Sequence, residues 1–96
     1  MTTEHHTSII VFVSKEKYLS FFIETVISIK TKKEMREFFE GILTSQELIE
    51  IPTRLQIVKK LKEGISQHEI AKELRVGVAT VTRGSKELQK GRFGNV

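Results

Sequence analysis

Apolar residues recur at intervals of three and four through most of the chain. Between residues 15 and 30 the series Tyr18, Leu19, Phe22, Ile23, Val26, Ile27 and Ile29, widened by Phe21, reads as an amphipathic helix with a broad apolar face. A second helix is expected over 32–43 on Met35, Phe38, Phe39, Ile42 and Leu43, and a third over 45–63 on Leu48, Ile51, Leu55, Val58 and Leu61. Pro52 lies inside the third. It lacks a backbone donor and crowds the preceding turn, so this helix should kink near Pro52 or restart with Pro52 in its first turn. Gly64 is placed to end it. Two short helices follow, 67–74 and 78–89, joined by Arg75-Val76-Gly77. The pairs Thr31/Glu34, Thr44/Glu47 and Ser66/Glu69 each have capping-box spacing, in which hydroxyl and carboxylate satisfy backbone N–H groups at a helix start.

Segment 8–14 is rich in β-branched residues, yet no partner strand exists elsewhere, so it reads as an extension of the first helix or as an arm on a partner chain. Residues 1–7 and 91–96 are expected to be flexible. His5 and His6 then belong to a solvated tail rather than to a metal site. The fold class is all-α, a single helical domain over 1–96. A chain of 96 residues buries little apolar surface alone, so association with itself is expected.

Composition narrows the function by exclusion. Cysteine is absent, which removes disulfides and thiolate metal sites and fits a reducing cytoplasm. The longest apolar run, Ile9 to Val13, is far short of the roughly 20 residues that span a bilayer, so no membrane partner is expected. Aspartate is also absent, the glycines form no phosphate-cradling loop, and His68 has no acid–base companion in sequence, so the chain is not expected to be an enzyme. Net charge is +4, which favours an anionic partner. The excess lies towards the C-terminus: from Ser66 onward Lys72, Arg75, Arg83, Lys86, Lys90 and Arg92 face only Glu69, Glu73 and Glu87.

Residues 66–89 have the pattern of a helix-turn-helix. Such a corner needs a small residue where its helices cross and an apolar seam between them. Ala71 supplies the first, and Ile70, Leu74, Val76 and Val81 the second. Gln67, His68, Val78, Ala79, Thr80 and Thr82 are left to face outward, where phosphates and base edges of double-stranded DNA would lie, with Lys86 as a phosphate anchor. Arg75 falls where such corners commonly use a left-handed glycine, at a cost on the order of 1 kcal/mol, and Gly77 is placed to take part of the turning. A helical protein-interaction module with no DNA partner would also need an apolar seam.

Leu43-Thr44, Thr53-Arg54, Ile57-Val58, Leu61, Gly64, Ser66-Gln67, Glu69 and above all Ala79-Thr80-Val81-Thr82-Arg83-Gly84-Ser85 resemble the Trp repressor family over about residues 31–90. The resemblance implies an intertwined helical homodimer that represses transcription from a palindromic operator, with half-sites ~34 Å apart. It implies regulation of tryptophan biosynthesis or transport genes, with L-tryptophan as corepressor. Arg54 and Arg83 match the arginines that sandwich the indole, a cation–π arrangement. Leu43 and Thr44 would line the pocket from the partner subunit, and Gly84 would let the ligand approach closely.

Two positions depart from the family pattern. Glu87 replaces a small hydroxyl residue near the ligand's ammonium group, where it could pair with that ammonium or repel the carboxylate. Gly41 stands where the family has an apolar pocket residue. A Trp-repressor-like regulator that needs no tryptophan is therefore an open alternative. Thr44 has a second role available as a helix cap, and Arg54 as a surface arginine.

Overall fold

The computed structural model describes the backbone of residues 2–96 and the side chains of residues 13–96. It is built of α1 (Thr2–Ser28), α2 (Lys32–Ile42), α3 (Glu47–Lys62), α4 (Gln67–Leu74) and α5 (Val78–Gln89), with no strand among the described residues. No helix there is long and apolar enough to cross a membrane. The chain divides into two compact units, residues 1–42 and 43–96.

In the first unit α1 begins well before the expected start, so segment 8–14 continues the first helix. The side chains of His5 and His6 lie outside the described residues. Near the helix end the Thr25 hydroxyl donates to the Phe21 carbonyl at 2.8 Å and that of Ser28 to Thr25 at 2.6 Å. Such back-bonds form within the helix and weaken it only slightly. Thr31 then starts α2, accepting from the Glu34 N–H at 3.1 Å. Phe22 and Phe38 meet with ring centroids 6.0 Å apart, and Phe38 and Phe39 at 5.8 Å. No residue of α2 is buried, while Tyr18 and Phe21 are 70% exposed and Ile27 71%.

The second unit is built around Ile57, Val58, Ile70, Ala71 and Val81, all buried, with Leu61, Ile65, Leu74 and Val76 packed against the cluster. Each fully buried Ile or Val contributes roughly 1.5–3 kcal/mol. The capping box at Thr44 is complete: its hydroxyl accepts from the Glu47 N–H at 3.1 Å, and Glu47 Oε1 accepts from the Thr44 N–H at 2.8 Å. Helical bonding starts there, since Leu48 N–H reaches the Thr44 carbonyl at 3.0 Å.

Pro52 lies inside α3, which neither restarts at it nor holds it in the first turn. The expectation of a restart is therefore corrected. Capping at Thr44 fixes the helix start eight positions upstream of Pro52, so only the donor that Leu48 would have received is lost. At the other end Gly64 (φ 84°) adopts the left-handed conformation. Its N–H bonds Leu61 and that of Ile65 bonds Lys60, the Schellman pattern.

Ser66 caps α4 through the Glu69 N–H at 3.2 Å. Arg75 ends it in the left-handed region (φ 56°, ψ 48°), and Val76 N–H bonds the Ala71 carbonyl at 3.0 Å. Gly77 has an ordinary extended conformation (φ −70°, ψ 149°) and takes no share of the turning expected of it. A left-handed residue already closes the Ala71 carbonyl, so the chain leaves Val76 pointed at the next helix. Residues 91–96 turn back on the unit, where Lys62 Nζ donates to the carbonyls of Phe93 and Val96 at 2.5 and 2.6 Å.

Candidate nucleic-acid interface

The corner is rigid for reasons visible in its sequence. Ile70, Ala71 and Val81 lock α4 to α5, and Ile57 locks both to α3. Gly84 has a packing reason: a Cβ there would sit 3.1 Å from Ile57 Cγ2 and 3.9 Å from Leu61 Cδ1. Glycine thus lets α5 close on α3, a role that its neighbours explain without a ligand.

On the far side of this core, Val78, Ala79 and Thr80 occupy the first turn of α5 and are exposed, as is His68 near the start of α4. Gln67 and Thr82, expected to face outward, are half-buried and bonded to one another: the Thr82 hydroxyl donates to Gln67 Oε1 at 2.7 Å. The bond ties the first residue of α4 to the middle of α5 and leaves the Gln67 amide nitrogen to meet a partner.

A concave surface of about 570 Å³ runs along α5, lined by Ala79, Thr82, Arg83, Lys86, Glu87, Gln89 and Lys90. It brings residues expected to touch DNA (Ala79, Thr82, Lys86) alongside Arg83 and Glu87, expected at the corepressor. Leu43, Thr44 and Arg54 do not line it. The Thr44 hydroxyl is engaged as a cap, and Arg54 is exposed on α3. Hydrogen bonds from the Thr44 backbone and hydroxyl hold the Glu47 carboxyl below the usual carboxylate range, and the positive charge of Arg54 adds a smaller part.

Glu87 is the one carboxylate from Val78 to Val96, against Arg83, Lys86, Lys90 and Arg92. Lys90 Nζ meets its Oε1 at 3.1 Å and Arg92 Nε its Oε2 at 3.4 Å. These two cations, the Lys90 hydrogen bond foremost, keep its pKa below the ordinary value. Lys90, Arg92 and Gln89 were not singled out from sequence. The i, i+3 spacing of Glu87 and Lys90 on one helical face was the available signal. No group of three His, Cys, Asp or Glu among the described residues could hold a metal.

Two short helices crossing at a small residue, joined through a left-handed corner and followed by a basic exposed helix face, define a helix-turn-helix protein. Residues 17–94 match the family described as Trp repressor protein, and the chain belongs to that family. It is similar to an uncharacterized protein YerC of Bacillus subtilis (strain 168), with 29% identity over 75 residues, 78% of this chain and 72% of that one. It is similar also to a Trp operon repressor homolog of Chlamydia caviae, 38% identical over 69 residues, 71% of this chain and 68% of the relative. A Trp operon repressor homolog of Vibrio vulnificus (strain YJ016) is 43% identical over 49 residues, 50% of this chain and 48% of the relative. Membership places the chain among DNA-binding transcriptional regulators.

Proposed function

We propose that this chain is a sequence-specific repressor that binds palindromic double-stranded operator DNA as a homodimer, with L-tryptophan as corepressor and tryptophan biosynthesis or transport genes as targets. The supporting observation is the concave face of α5, where Ala79, Thr82 and Lys86 adjoin Arg83. Small side chains in the first turn of α5 let the helix axis approach base edges in the major groove. Gln67, His68 and Lys86 flank that turn and would bind the phosphate backbone, which positions the helix without reading sequence.

Dimerisation would place a second reading helix one turn of DNA away, and the exposed apolar residues of α1 offer the surface for it. Tryptophan would stack between Arg54 and Arg83, with Gly84 near the ring and Leu43 and Thr44 contributed by the partner. Ligand then acts as a wedge that favours the DNA-competent spacing of the two heads.

A second reading, a regulator that needs no tryptophan, is favoured by one observation. Glu87 is already paired with Lys90 and Arg92, so a ligand's ammonium group would compete with two cations for this carboxylate. Calorimetric titration with L-tryptophan, paired with duplex binding with and without saturating ligand at fixed salt, separates the two. Micromolar binding with a matching gain in DNA affinity, lost in Arg54→Ala and Arg83→Ala, supports the corepressor. Absence of heat with unchanged DNA affinity supports ligand-free repression.

A further inference from the structure

We propose that Glu87 limits the phosphate-driven DNA affinity of this chain by acting as a built-in phosphate surrogate that occupies Lys90 and Arg92. The inference rests on the operator-binding function proposed above. Four cations and a single carboxylate occupy residues 78–96. That carboxylate lies on the same concave face as Ala79 and Thr82, and both of its oxygens are in contact with a cation. The side chains of Lys90 and Arg92 are more than half exposed, so without Glu87 both would be open to a phosphate.

Non-specific affinity grows with the number of phosphates a protein neutralises, whereas base contacts alone distinguish one sequence from another. Pairing two cations internally lowers the first without touching the second. Arg83 and Lys86, which have no such pairing among the described ion pairs, carry the phosphate contacts of the bound state. Phosphate contacts add to specific and non-specific complexes alike, so the pairing lowers both affinities and the steepness of their salt dependence. The tie also fixes the end of α5 to the turn at 91–96, which Lys62 of α3 holds in place.

The test uses two probes, a duplex enriched from random sequence by the wild-type protein and a scrambled duplex of equal length and composition. Affinity for each is measured over a series of salt concentrations. Glu87→Gln is expected to bind the scrambled duplex about tenfold more tightly at low salt, with a slope of log K against log salt steeper by about 0.9 for each cation that gains a phosphate. The enriched duplex should gain by a similar factor, which leaves the specificity ratio unchanged. Lys90→Gln should reverse the gain in the Glu87→Gln background and do little in the wild-type protein.

Unchanged affinity and slope for the scrambled duplex would overturn the proposal. So would an equal loss on both duplexes, which marks Glu87 as a structural residue alone. Loss of a tryptophan response with unchanged ligand-free binding would assign Glu87 to a ligand instead. If the wild-type protein enriches no duplex, the operator function fails, and the scrambled-duplex arm still decides the role of Glu87.

Discussion

Arg75 holds the corner between α4 and α5 in a conformation that an L side chain adopts at a cost. Arg75→Gly should therefore raise stability by about 0.5–1 kcal/mol, measured by chemical denaturation, the gain being limited by glycine's greater freedom in the unfolded chain. Gly84 predicts the opposite sign. Alanine is the better helix former, but its Cβ would sit 3.1 Å from Cγ2 of the buried Ile57, which would have to shift by a few tenths of an ångström. Gly84→Ala should cost roughly 1 kcal/mol net, within the usual penalty for overpacking. Glu47 adds a pH dependence. Its carboxyl is held below the usual range when folded, so its stabilisation is present at neutral pH and lost as pH falls through that lowered value. Glu47→Gln should flatten the acid limb of the stability profile between wild type and variant.

At the scale of elements, α4 and α5 begin and end where the sequence predicts, because each boundary rests on a local device: Ser66 as a cap, Arg75 as a left-handed stop and an apolar period that ends at Leu88. Replacing Ser66 with alanine should cost about 1 kcal/mol and show as faster amide exchange at the start of α4. The start of α1 was harder to read, since the run Ile9 to Val13 suits a strand by propensity and only the lack of a pairing strand argues for helix. At Pro52 a local rule offered a kink or a restart, and the complete capping box at Thr44 starts the helix upstream and so removes the restart. The candidate site was legible where single residues carry the signal, as in Ala71, Ala79 and Arg83. It was less so where roles are shared across elements: the bond from Thr82 to Gln67 joins residues fifteen apart, and that of Arg92 to Glu87 crosses the end of a helix.

For the whole molecule, the apolar face of α1 is the feature a lone chain leaves unexplained. Tyr18, Phe21 and Ile27 each stay largely in water, a surface that the second copy of the proposed homodimer would cover. Sedimentation equilibrium should show a dimer at micromolar concentration. Phe21→Glu with Ile27→Glu should dissociate it and weaken operator binding, because two heads bound independently lose their shared effective concentration. Whether α4 and α5 read DNA sequence is decided by selection of binding sites from a random duplex library. Enrichment of a palindrome whose half-sites lie one helical turn apart, ~34 Å, and its loss on Thr80→Ala would bear the account out. Recovery of no common sequence, or the same sequence-blind binding in wild type and Thr80→Ala, would contradict it.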